Sequence, residues 1–222
     1  MTKALIFDVD GTLAETEEAH RQAFNDTFQA NGMDWHWDVA LYGQLLKTTG
    51  GKERMAAYQQ GQRADEPQLD QRQIRELHLQ KTKRYGAILA EGGLSLRAGV
   101  ADLIARASKA GLRLAIATTT SRPNVDALTQ CCWGKPPEEI FEVIATGEQV
   151  QAKKPAPDLF ELALMRLGLP ASDCLAFEDS RNGLLAATRA GLRTIVTPGQ
   201  YTGDEDFSGA EKVIPSLVGF RL

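Results

Sequence analysis

Cysteine is scarce in this 222-residue chain, and its placement excludes a disulfide framework: Cys131 and Cys132 are adjacent, Cys174 is alone, and the number is odd. They read as small buried hydrophobes in a reducing environment. No His/Cys spacing of the kind that holds zinc occurs anywhere, and there are only three histidines. No apolar run approaches the roughly 18–20 residues a membrane helix needs, so no membrane association is expected. Runs of Lys or Arg are missing too. The 25 basic residues against 29 acidic ones leave a net charge of −4, without the electrostatic footprint of a nucleic-acid binder. The chain passes almost at once into Ala4-Leu5-Ile6-Phe7 with no basic-then-apolar leader, and an uncleaved, cytoplasmic monomer is the expectation. With 43% hydrophobic and 24% charged residues, disorder and collagen-like repeats are excluded as well.

What is present is an alternation of short apolar runs and longer helical patterns. The runs at 3–8, 112–118, 143–145, 174–178 and 193–196 read as strands, and those at 100–110, 124–132, 157–167 and 182–190 as helices, most of them followed by Gly stop signals. Strands alternating with helices predict an α/β fold with a parallel sheet. Leu5–Phe7 and Leu175–Phe177 are continuously apolar, as strands covered on both faces are. Between the first and second strands the rhythm breaks into helical patterns at 17–31, 39–46, 53–62 and 70–90. The expected organisation is therefore a Rossmann-like core of 1–14 and 93–222 carrying a helical cap domain of 15–92, and its two tethers permit a hinge.

The chemistry-bearing residues lie where strands end. Open α/β sheets collect ligands at the C-terminal edge, and the first strand ends in Asp8-Val9-Asp10-Gly11-Thr12. Carboxylates two apart in extended chain point the same way and repel unless a cation lies between them. Alone, Asp-x-Asp-Gly is equally a common turn. The second strand runs into Thr118-Thr119-Thr120-Ser121, which offers hydroxyls and N–H groups to an anion but could simply close a strand. Lys153-Lys154-Pro155 follows the third strand, and by itself a solvated lysine pair is the plainer explanation. Glu178-Asp179-Ser180 follows the fourth, where acids also cap helices. Taken together, acids for a hard cation and donors for a phosphate meet at one edge, and all-oxygen ligands favour Mg2+ over zinc.

In that order, Asp8-x-Asp10-Gly-Thr12, Thr118, Lys154-Pro155 and Glu178-Asp179 resemble the motifs of the haloacid dehalogenase (HAD) superfamily. Residues 7–17, 48–54, 117–121 and 177–180 are more narrowly similar to the CbbY family, phosphatases acting on xylulose-1,5-bisphosphate. The resemblance implies a HAD core with a cap inserted after the first strand, and a phosphoric monoester hydrolase acting on a small-molecule sugar phosphate. It implies that Asp8 is the nucleophile and Asp10 the acid/base. Asp8, the backbone carbonyl of Asp10, Asp179 and Glu178 would hold Mg2+, while Thr118, the backbone of Thr119 and Lys154 would grip the phosphoryl group.

For a bisphosphate, the insertion offers Lys52 and Arg54 beside Gly50-Gly51, with a solvated helix start as the plain alternative. Glu17 and His20 share a helix face that could turn toward the sugar, though by bare pattern an ordinary helix-surface histidine is the plainer reading of His20. Trp35 and Trp37 read as cap packing, and Phe24, Phe28, Leu41 and Leu45 as core. Competing readings are a β-phosphoglucomutase-like mutase, a phosphoglycolate phosphatase and a non-catalytic phosphosugar-binding regulator.

Overall fold

The computed structural model describes residues 2–92 and 94–221; Gly93, where the core was expected to resume, lies outside them. Contacts divide the chain into two compact units, Met1–Thr16 with Leu94–Leu222 and Glu17–Gly93.

In the first unit, β1 (Ala4–Phe7), β2 (Arg113–Ala117), β3 (Val143–Ala145), β4 (Cys174–Glu178), β5 (Arg193–Val196) and β6 (Lys212–Val213) form one parallel sheet in the order β3-β2-β1-β4-β5-β6. Every residue of β1 and β4 is buried, because helices cover both faces. Ala115, Ala117, Ala145 and Ala176 are small enough to admit the Leu159, Phe160 and Ala163 face of α7 (Asp158–Leu167), with Ala186 and Ala187 of α8 (Arg181–Arg189) in the same cluster. Phe7 stacks on Phe177 across the β1–β4 pair, ring centroids 4.7 Å apart. α5 (Val100–Lys109) buries Val100, Leu103, Ile104 and Ala107, the spacing of one helical stripe. α6 is Arg122–Trp133.

Two local expectations fail. The sequence gives no warning of β6: its Lys212-Val213 pair is exposed, too short for an apolar signature, and is recruited by pairing with β5. Cys131 and Cys132 are half-buried instead of core, their sulfurs 3.7 and 3.9 Å from the Leu94 carbonyl; only Cys174 is the buried hydrophobe expected. Among the described residues, no helix is long and apolar enough to cross a membrane.

The second unit holds α1 (Glu17–Ala30), α2 (Val39–Leu45), α3 (Gly51–Gln62) and α4 (Gln71–Ala90). Asp70 starts α4 with a capping box, its carboxylate accepting from the Arg72 and Gln73 N–H groups while Gln73 returns a bond to the Asp70 N–H. Phe24, Phe28, Trp35, Trp37, Tyr42 and Tyr58 interlock as an aromatic core, so the tryptophans do pack the unit. Leu41 is only half-buried and sits at the margin of that core.

Candidate active site

Sheet order alone brings distant residues together. β1 lies between β2 and β4 with Phe7 in register with Ile116 and Phe177, so Asp8 leaves the sheet beside Thr118 on one side and Glu178-Asp179 on the other. The Asp8 N–H donates to the Phe177 carbonyl at 3.0 Å and the Thr118 N–H to that of Ala145 at 3.0 Å, which fixes both just past the last rungs. Lys154 arrives from the loop after β3. Its ammonium donates to Asp8 Oδ1 at 2.6 Å and to Glu178 Oε1 at 2.5 Å, so of Lys153 and Lys154 it is the second that joins the carboxylates.

Asp8, Glu178 and Asp179 each offer an oxygen within 4.8 Å of the others, and all three residues are buried. Burial raises the Asp8 carboxyl from its ordinary 3.8 to about 7, with the Glu178 and Asp10 carboxylates adding to it, against the opposing pull of Lys154. Lys154 itself is held protonated: its own burial is outweighed by the carboxylates of Asp8 and Glu178, which push its pKa up. One ammonium therefore does not satisfy the cluster. Were all three carboxylates ionised, they would outnumber the single ammonium by two charges, the imbalance a divalent cation neutralises.

The surroundings fit such an ion. Gly11 has φ of +78°, and a Cβ there would lie 2.3 Å from Asp179 Oδ2; at Gly199 it would lie 3.0 Å from the same atom. Thr202 Oγ1 donates to the Asp179 carbonyl at 2.8 Å. The donor set is all oxygen and fits a hard divalent cation. Gly11→Ala is expected to push Asp179 aside and weaken the binding of a hard divalent cation about 10–100-fold, the usual range for disturbing a metal's supporting residues; calorimetric titration with MgCl2 checks it, and an unchanged affinity would separate cation binding from Asp179.

The Asp10 carboxylate stands outside that triad and accepts from Thr16 Oγ1 at 2.6 Å. Thr118 is fully buried, and its Oγ1 accepts from the Thr120 N–H at 3.2 Å. Asn124 Nδ2 donates to Thr120 Oγ1 at 2.8 Å, and the Gly147 N–H to the Thr120 carbonyl at 3.1 Å. The Thr119 carbonyl lies 2.2 Å from where a Gly147 Cβ would be, so this loop rests directly on backbone. The supports of these groups, Thr16 at Asp10, Asn124 and Gly147 at the Thr118–Ser121 loop, and Gly199 and Thr202 at Asp179, escape sequence reasoning, since a hydroxyl, an amide or a glycine in a loop has no periodic signature.

The remaining predicted residues lie in the helical unit. His20 is buried there, Nδ1 2.6 Å from Lys81 Nζ and its ring stacked 4.0 Å from that of Tyr85, so it is not a surface histidine. Glu17 is half-buried one turn before it. Lys52 is half-buried in the first turn of α3. Arg54 is buried, with Nε donating to the Leu45 carbonyl at 3.2 Å and Nη1 to Tyr42 Oη at 3.3 Å, so it is not part of a solvated face. His78 was not foreseen: a Cβ on Gly51 would lie 2.7 Å from its Nε2, which puts an imidazole against the start of α3.

A parallel α/β sheet whose central strand ends in paired aspartates, with a buried lysine and two further acids at the same edge, is an arrangement of the hydrolase class, and the comparisons bear that out. The model of the haloacid dehalogenase-like hydrolases matches residues 2–191. Protein CbbY of Cereibacter sphaeroides is 55% identical over 218 residues, covering 98% of this chain and 94% of that protein. Crystal structures of CbbY from Rhodobacter sphaeroides superpose with a TM-score of 0.94, one in complex with phosphate at 55% identity and one, a mutant, in complex with xylulose-(1,5)bisphosphate at 54%; each covers 98% of this chain and 95% of the other. The chain belongs to the haloacid dehalogenase-like hydrolases and, within them, to the CbbY proteins. It is an enzyme, a phosphatase of the HAD type.

Proposed function

We propose that the protein is a Mg2+-dependent phosphatase that hydrolyses xylulose-1,5-bisphosphate through an aspartyl-phosphate intermediate. One observation carries this reading: Asp8, Lys154 and the Glu178-Asp179 pair, far apart in the chain, meet at one sheet edge as three clustered carboxylates, two of them bonded to the Lys154 ammonium. The crystal structure of the CbbY mutant with xylulose-(1,5)bisphosphate supports the substrate.

In this scheme an Asp8 carboxylate oxygen attacks phosphorus, and the bond from phosphorus to the sugar oxygen breaks as the new one forms. Asp10, oriented by the Thr16 hydroxyl, gives its proton to the departing sugar oxygen. The resulting Asp10 carboxylate then takes a proton from the water that attacks the acyl phosphate, which frees inorganic phosphate and restores Asp8. Thr118, the Thr119 N–H and Lys154 hold the phosphoryl oxygens while they move, which matters because phosphoryl transfer is catalysed chiefly by position and charge. Asp8, the Asp10 carbonyl and Asp179, with Glu178 directly or through water, would hold the cation, which supplies charge neutralisation for the phosphoryl group.

The helical unit is assigned the role of cap. The chain enters it once after Thr16 and leaves it once before Leu94, and closing it would keep water from the acyl phosphate until the sugar departs. Glu17 and His20 are assigned to the sugar, Lys52 and Arg54 to the distal phosphate.

A phosphate-release screen over xylulose-1,5-bisphosphate, hexose phosphates and phosphoglycolate, with MgCl2 or with EDTA, tests this. Turnover is expected to be fastest on the pentulose bisphosphate and to fall to background in EDTA. Preference for phosphoglycolate reassigns the substrate, and conversion of a hexose phosphate without phosphate release makes the protein a mutase. No turnover of any phosphate ester leaves only a phosphosugar-binding role.

A further inference from the structure

The half-buried cation Arg97 takes no part in that scheme. Arg97 lies on the stretch by which the chain returns from the helical unit, and its side chain is only 14% exposed. The Arg97 N–H donates to the Leu13 carbonyl at 2.8 Å, and a bridge pairs Ala14 with Leu96, so the outgoing and returning segments run side by side. From there the guanidinium reaches four acceptors. Nη1 donates to the Gly11 carbonyl and, at 2.7 Å, to that of Thr197; Nη2 donates to the Pro198 carbonyl at 2.7 Å; Nε pairs with Glu15 Oε1 at 3.1 Å. The other Glu15 oxygen accepts from the Gln200 N–H at 3.2 Å.

These partners are the two backbone segments that flank Asp179. Gly11 approaches it so closely that a Cβ would be 2.3 Å from Oδ2, and Gly199, next to Pro198, so closely that a Cβ would be 3.0 Å from the same oxygen. Thr202, whose hydroxyl accepts from the Gly199 N–H at 2.7 Å, bonds the Asp179 carbonyl. The guanidinium thus joins both walls of the slot that holds one carboxylate.

We propose that Arg97 is a positioning residue for the cation site: it fixes the spacing between the turn after Asp10 and the 197–199 loop, and so the place of the Asp179 carboxylate. The chemistry calls for arginine. Its planar fork has five donors that reach carbonyls in several directions at once, whereas a lysine places three donors on one nitrogen and cannot span acceptors on both walls. The proposal rests on the cation-dependent reading above.

The test measures Mg2+ affinity by calorimetry with MgCl2 alone, without substrate, and kcat and KM on the substrate found in the screen. The proteins are wild type, Arg97→Lys, Glu15→Gln and, as a control, Arg106→Lys, whose side chain bonds exposed Asp102 and the Phe220 carbonyl and none of the groups around Asp179. Arg97→Lys is expected to weaken Mg2+ binding about 10–100-fold and to lower kcat by a similar factor, with KM at saturating Mg2+ changed by less than about threefold. Glu15→Gln should shift both in the same direction by a few-fold, and Arg106→Lys should match wild type. Folded Arg97→Lys with wild-type Mg2+ affinity and kcat overturns the proposal. Should Arg97→Lys fail to fold, Glu15→Gln decides, and wild-type affinity in that variant overturns it equally. Wild-type protein that neither binds Mg2+ nor releases phosphate defeats the functional reading instead, and the proposal with it.

Discussion

Asp8→Asn is expected to lower phosphate release by about 10,000-fold or more, the scale seen when a covalent nucleophile is removed, while leaving a folded protein. The amide has the volume of the acid but cannot form the acyl phosphate. The same substitution has a second, pH-dependent outcome that separates loss of chemistry from loss of structure. In the metal-free protein the Asp8 carboxyl is raised from 3.8 to about 7 by burial, so the folded state binds more protons than the unfolded chain between those values. Its stabilising contribution is full below the lower value and is lost as pH rises through the upper one. Lys154 is shifted up from 10.5, so its own contribution is constant over this range. Asparagine does not titrate. In EDTA, urea unfolding should therefore show Asp8→Asn gaining on wild type as pH rises from about 5 to about 8, and added Mg2+ should erase the gain. A pH-independent difference would mean that Asp8 does not ionise in the buried site as described.

Lys154→Met should damage rate and stability together. It leaves the Asp8 and Glu178 carboxylates buried without their shared ammonium, and removing one member of a buried ion pair costs about 3–5 kcal/mol. Methionine largely keeps the apolar stem, while the ammonium's place over the Phe160 ring, 4.9 Å from its centroid, is lost with the charge. Phosphate release should fall about 100–1,000-fold, as when a donor to a developing oxyanion is deleted. Excess Mg2+ should return part of the stability but not the rate, because the cation can balance the carboxylates without reproducing the lysine's donors. Urea unfolding and turnover measured at several Mg2+ concentrations check both halves. Full recovery of rate by Mg2+ would reduce Lys154 to a charge-balancing role.

How far the sequence carries can be judged from particular residues. β1, β4 and the helices were legible because burial on both sheet faces writes continuous apolar runs, and because glycines such as Gly134 and Gly168 end α6 and α7 in the left-handed region. The acids at strand ends were legible for the same reason: the end of a buried run marks the sheet edge. β6 was not, since two exposed residues held only by a neighbouring strand carry no period of their own. Nor was Arg97. Its significance lies in carbonyls of Gly11, Thr197 and Pro198, and backbone acceptors leave no trace in residue identity. His20 shows the limit from the other side, because a helix-face histidine reads as surface until Lys81, 61 positions later, is folded against it.

The central place of β1 in the sheet also governs when this chain becomes competent. Asp8 precedes both flanks of its strand in the chain, and those flanks are segments made much later, Arg113–Ala117 on one side and Cys174–Glu178 on the other. The helical unit is contiguous in the chain and comes between β1 and β2. A chain that stops before Lys154 thus carries Asp8 without that ammonium and without Glu178 and Asp179, and so lacks the cluster on which the proposed chemistry rests.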